Sequence, residues 1–195
     1  MWATVRVFAA VVALGLSAPA HAGGVTDALK LWGGQKGTWF GKIEIYSAGN
    51  PTPAVVDLTT SWDRTPDGLG VTKIETFSTP ERQTHSVTLM FRDATKDTIK
   101  TPYFVGGVQK DYQFAVTSVT AKDEAHWTVV TTTVEGEETY ENRPAVLRYT
   151  RTRNGDTVEN LKEVRFLDGP DKFEVRSVIR QTKLAAPAVA QSLHR

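Results

Sequence analysis

From residue 37 to residue 183 the chain alternates apolar and polar side chains with a period of two, and no interval is long enough for the helix of a β-α-β crossover. Trp39, Gly41, Ile43 and Ile45 alternate with Phe40, Lys42, Glu44 and Tyr46. Ala54, Val56, Leu58, Thr60 and Trp62 alternate with Val55, Asp57, Thr59 and Ser61. Further runs rich in Thr, Val, Ile, Phe and Tyr fall at about 69–79, 83–93, 97–105, 111–120, 126–134, 139–152, 157–167 and 172–183. Turn signals punctuate them: Asp67-Gly68, Gly106-Gly107, Glu135-Gly136, Asp168-Gly169-Pro170 and, most strongly, Asn154-Gly155. The expected class is therefore all-β, with sequence neighbours paired antiparallel. About ten such strands accumulate twist and leave edges that invite aggregation, so a closed antiparallel meander barrel is expected. A two-sheet sandwich uses the same alternation and is the alternative; the lack of a fixed-period repeat argues against a propeller.

A short helix precedes the strands. Val25 to Trp32 places apolar residues at helical spacing, Thr26 or Asp27 can cap it, and Gly33-Gly34 ends it. Such a segment can plug one end of a barrel, or Leu29 and Trp32 can simply cover core. Before it, residues 1–22 read as a secretory signal: Arg6, an apolar stretch from Val7 to Leu16 too short to cross a bilayer, and an Ala20-His21-Ala22 cleavage site. Removing 22 of 195 residues leaves 173, enough for one domain with a genuine core, spanning 23–184. Residues 185–195 carry no periodicity and are expected to be a disordered tail. With no Cys after the apolar stretch for a lipid anchor, the expected location is periplasmic or extracellular.

Without Arg6 the 23 basic residues become 22, balancing the 22 acidic ones. A neutral chain argues against electrostatic binding to nucleic acid or an anionic membrane. The absence of Cys removes a thiol nucleophile, a thiolate metal site and disulfides, so stability must come from packing and closed hydrogen-bond ladders.

The strand train opens with Gly37-Thr38-Trp39-Phe40-Gly41. That Gly-x-Trp-x-Gly start after a short helix resembles the calycin group of barrels: lipocalins, fatty-acid-binding proteins and nitrobindin-like haem-binding barrels. The resemblance implies a lumen that holds a small molecule, with Gly37, Trp39 and Gly41 as a structural motif. It also implies an arginine from near the final strand over Trp39, for which Arg176 and Arg180 are the candidates. The second lipocalin motif is absent. Nitrobindin-like barrels hold haem iron with a late His, whereas this chain has none between Trp127 and Leu193, leaving His85 and His126 as the only histidines of the folded body.

No Gly-x-Ser-x-Gly elbow, phosphate-binding glycine loop, dinucleotide fingerprint or HExxH arrangement occurs, and no catalytic or metal-ligating residue is singled out. Glu135, Glu137, Glu138 and Glu141 surround a turn and read as a solvated face. Arg148, Arg151, Arg165, Arg176 and Arg180 lie among apolar neighbours in the last strands. If the parity of Arg148, Arg176 and Arg180 lines the lumen, these could clamp a ligand carboxylate. The parity of Leu147 and Tyr149 with Phe173, Val175 and Ile179 is more apolar, and then the arginines would point outward and pair with Glu159, Glu163 and Glu174. The expected function is non-covalent binding of a small hydrophobic or amphipathic molecule, with or without an acid group. Trp62, Tyr103, Phe104 and Trp127 would line the lumen, with Arg176 or Arg180 as anionic anchor. No cofactor is required by this reading. The alternatives are a haem-binding or carboxylate-dependent enzyme and a filled barrel that binds a protein partner.

Overall fold

The computed structural model describes residues 24–136 and 138–185. The signal-peptide reading, Glu137 and all but the first residue of the expected tail lie outside them. A helix α1 (Val25–Gly33) precedes strands β1 (Gly37–Ile45), β2 (Ala54–Arg64), β3 (Gly70–Ser78), β4 (Gln83–Asp93), β5 (Thr98–Val105), β6 (Val108–Asp123), β7 (His126–Thr133), β8 (Thr139–Tyr140), β9 (Arg143–Asn154), β10 (Thr157–Phe166) and β11 (Glu174–Lys183). Antiparallel pairs run in sequence order from β1 to β7, then to β9, β10 and β11, and β11 returns to β1. Each of these ten strands has two neighbours, so the sheet is a closed barrel without a free edge. The sandwich alternative falls with that closure.

Two strand readings are corrected. The run expected over 139–152 is broken by Glu141 (φ 53°) and Asn142 (φ 62°), whose two left-handed residues make a tight hairpin between the two-residue β8 and β9. In β11, Val175 pairs with Glu163 and Ser177 with Lys162, leaving Arg176 as an extra residue at a bulge. The bulge flips the parity of everything before it. Val175 is therefore exposed and Phe173 lies outside under the Arg148 guanidinium, whereas Ser177 and Ile179 face the lumen.

The helix seals the end at which β1 begins. It is capped by Gly24, with no side-chain cap from Thr26 or Asp27, and Asp27 sits in its first turn, where a carboxylate suits the helix dipole. It contacts β2, β3, β4 and β6, and Val25, Ala28, Leu29, Leu31 and Trp32 bury into one cluster with Trp39, Trp62, Val71, Met90, Ile99, Phe114 and Trp127. Plug and core cover are thus the same role.

The Gly-x-Trp-x-Gly segment ties this base together. Gly37 adopts φ 116°, which suits glycine. At Gly41 a Cβ would stand 1.9 Å from the Arg180 carbonyl oxygen, so only glycine admits the approach of β11 to β1. Trp39 is fully buried and its Nε1 donates to the Gln35 carbonyl at 2.9 Å. The arginine over its ring is Arg153 of β9, at 5.4 Å, rather than Arg176 or Arg180. Arg153 also donates to the carbonyls of Gly34, Glu124 and Gly155, each at 3.0 Å, joining the end of α1 to two basal turns.

Candidate functional site

The inward parity of each strand fills the basal half of the barrel with aromatic and aliphatic side chains. Above that layer it leaves a cavity of about 230 Å³. Its floor is Trp32, Met90 and Val129, which are buried; Phe77, Tyr103, Lys162 and Ser177, nearer the opposite end, keep part of their surface exposed. Apolar walls come from Ile43, Phe77, Phe114 and Ile179.

Charged residues interrupt this apolar lining on three strands. Lys73 and Glu75 lie between Val71 and Phe77 on β3, Arg151 follows Tyr149 on β9, and Lys162 stands between Asn160 and Val164 on β10. Lys73 Nζ and Glu75 form an ion pair of 2.9 Å with both side chains largely buried, and Ser86 Oγ donates to Glu75 at 3.3 Å. Burial pushes the Lys73 ammonium below its ordinary pKa, and Glu75 opposes that shift.

Arg151 is only 8% exposed. Its guanidinium carbon lies 4.6 Å from the Trp32 ring centre and 4.8 Å from that of Trp62, so two indole faces hold it. Burial draws its pKa down to about 10 against the pull of Glu75. Its Nη1 has no hydrogen-bond partner among the described residues, and neither do Asn160 Oδ1, Thr88 Oγ1 and Trp32 Nε1, all on residues that line the same cavity. Buried polar groups are normally satisfied, so unpartnered atoms on four residues around one cavity suit a polar ligand group or water beside them. Of the ionised lining residues, three are cations and one is a carboxylate, so the lumen carries an excess of positive charge.

Around the mouth, Lys162 Nζ lies 4.5 Å from the Tyr140 ring centre and 5.9 Å from that of Tyr149. Burial raises the phenols of Tyr103, Tyr112 and Tyr149, that of Tyr112 to about 12, so they stay neutral hydrogen-bonding groups at neutral pH.

Of the residues singled out from the sequence, Tyr103 lines the cavity. Trp62 lies behind it, buried against Arg151 and Lys73. Trp127 is buried in the basal cluster, with Nε1 donating to the Glu124 carbonyl at 3.1 Å. Phe104 stands on the outer face, 40% exposed. Arg180 is also outside, paired with Glu159 at 2.9 Å and Glu44 at 3.1 Å. Arg176, at the bulge, pairs with Glu174 and packs over Phe166 without lining the cavity. Arg148 pairs with Glu163 at 2.7 Å. The arginine-glutamate pairs are those of the outward alternative, because the lumen took the Leu147 and Tyr149 parity. The anchor role therefore passes to Arg151, two residues beyond Tyr149 and flagged by a charge on an apolar stripe.

His85 and His126 both project from the outer face; His85 Nδ1 is 3.1 Å from Thr76 Oγ1 and His126 Nδ1 2.8 Å from Asp123. Neither can reach a group in the lumen, so the histidines do not fit a haem held there. Among the described residues no cluster of three His, Cys, Asp or Glu side chains is assembled. No protein-family model matches this chain, and no curated protein matches it.

Proposed function

We propose that this chain is an exported, calycin-like binding barrel that holds a small, largely apolar acid in its lumen, with the acid group at Arg151. The observation that carries the reading is Arg151 itself: a residue of the cavity wall only 8% exposed, its guanidinium stacked between two indoles, without a carboxylate partner among the described residues and with Nη1 unpartnered. A buried cation of this kind is costly unless an anion meets it. Glu75 is already engaged by Lys73, so the surplus positive charge suits an anion from outside. Scaling from benzene in an apolar cavity of about 150 Å³, the space suits a ligand of about nine non-hydrogen atoms, the size of a simple aromatic carboxylate. Longer ligands would extend through the mouth. Export rests on the leader-like residues 1–22, and the calycin likeness on the Gly37–Gly41 motif with the barrel it opens.

The test is titration of the purified mature barrel with benzoate and with toluene, followed by indole fluorescence from Trp32 and Trp62. Saturable quenching by benzoate with little response to toluene is the expected outcome. Equal response to both would remove the acid from the reading, and no response to either, with a clean apo mass in native mass spectrometry of protein taken from its own cell envelope, would remove the binding function.

A further inference from the structure

We propose that Lys162 is a carbonyl-capture site, its side-chain amine condensing with an aldehyde or ketone in the lumen to form a Schiff base. The inference goes beyond acid binding and needs only the cavity. Lys162 lines that cavity on β10, opposite Tyr149 on β9 and Ser177 on β11, and keeps part of its surface exposed at the mouth. Unlike Lys73, it forms no ion pair with a described carboxylate. Its amine sits against the rings of Tyr140 and Tyr149, an apolar, electron-rich setting that shields the charge-bearing end from water.

The charged groups facing it are mostly of its own sign. Lys110 on β6 and Arg176 on β11 disfavour the ammonium, and Glu141 in the β8–β9 turn favours it. Tyr112, Tyr140 and Tyr149 are neutral at pH 7. Burial together with these neighbours lowers the amine to about 8. At pH 7.4 about a fifth is then the free nucleophile, against about one part in a thousand for an ordinary lysine. Desolvation and a neighbouring cation are the two features that activate lysine amines toward carbonyls.

The step balances without an oxidant or reductant. The Nζ lone pair attacks the carbonyl carbon and the carbonyl π pair moves to oxygen, which takes up the proton that nitrogen releases. The carbinolamine then loses water as the C=N bond forms. Arg151 pairs with Asn160, two residues along β10 from Lys162, so the two groups stand about 7 Å apart along the strands. A ligand with an acid at one end and a carbonyl at the other would span both.

The experiment treats the folded mature chain with benzaldehyde and sodium cyanoborohydride at pH 7.4, where hydride traps any Schiff base as a stable benzyl-lysine, and maps the product by peptide mass spectrometry. One benzyl group at Lys162, gained at least tenfold faster than at any exposed lysine, is the expected result. Modification spread over exposed lysines such as Lys36, Lys42 and Lys100, with Lys162 among the slowest, would overturn the proposal. The deciding map uses the unmutated protein, so it stands even where Lys162→Met fails to fold. Arg151→Met separates the two readings: it should weaken benzoate binding by about tenfold or more and keep benzaldehyde capture. Benzoate binding without capture would sink this inference alone.

Discussion

At the scale of single residues, Arg151 separates what binds from what stabilises. Its guanidinium stacks on Trp32 and Trp62 but leaves Nη1 unpartnered, so the fold bears its desolvation without a full set of hydrogen bonds. Arg151→Met keeps the volume and removes the charge. It should leave the melting temperature unchanged or higher, while weakening benzoate binding by about tenfold to a hundredfold, the worth of one charged hydrogen bond of about 1.5–3 kcal/mol. Thermal unfolding and fluorescence titration on one sample read both. Glu75 predicts the opposite. Glu75→Gln leaves the buried Lys73 ammonium without its carboxylate and should destabilise the barrel by about 3 kcal/mol. Because it adds to the surplus positive charge, it should also tighten benzoate binding; a denaturant melt that shows no loss of stability would contradict the pairing.

At the scale of the element, the meeting of β1 with β11 closes the barrel, and it turns on one missing methyl. A Cβ at Gly41 would lie 1.9 Å from the Arg180 carbonyl oxygen and 2.8 Å from the Gln181 Cα, both backbone atoms that cannot move aside alone. Across that contact Gln181 Nε2 donates to Thr60 Oγ1 at 2.8 Å and reaches the Leu58 carbonyl at 3.3 Å. Gly41→Ala should therefore destabilise by about 3 kcal/mol or more. Gly107→Ala meets open space and only the strain of φ 80°, about 1 kcal/mol, and chemical denaturation of the two variants gives the ordering directly. The same elements mark how far the sequence could be read. Period two located the strands to within a few residues, because each has one wet and one dry face that a shift of one residue would exchange. It did not reveal the Arg176 bulge, since an extra residue is a property of two paired strands and leaves no mark on either alone. The bulge reversed the parity counted for the β11 residues before it, taking Phe173 and Val175 out of the lumen, whereas Arg180 lies outside by plain alternation because Ile179 faces inward. Arg151 and Lys162 were readable in principle as charges on the Tyr149 and Val164 stripes, once that stripe was known to face inward.

At the scale of the whole molecule, the charges inside the barrel and those at its rim respond to pH in opposite windows. Asp93 accepts hydrogen bonds from Thr95 Oγ1 and N and from Gln113, and pairs with Lys100; these hold its carboxyl well below the usual range. Asp67, Asp123 and Asp168 are lowered likewise, each first by a side-chain hydrogen bond. A depressed folded pKa means the unfolded chain takes up protons first as pH falls, so stability is present above about pH 4 and is lost below it. The buried cations act at the other end. Lys162 releases its proton near pH 8 when folded but near 10.5 when unfolded, so between these values the unfolded chain holds more protons and stability rises with pH. Above pH 10 the sign reverses, because unfolded tyrosines ionise while Tyr112 stays protonated to about 12. The barrel should therefore be most stable between about pH 9 and 10 rather than at neutrality. Differential scanning calorimetry from pH 3 to 11 should show the melting temperature climbing from pH 8 to that maximum, with Lys162→Met flattening the climb and leaving the acid limb in place. A wild-type curve level from pH 6 to 10 would mean that Lys162 keeps its proton in the fold, and that its surroundings are wetter than the Tyr140 and Tyr149 rings imply.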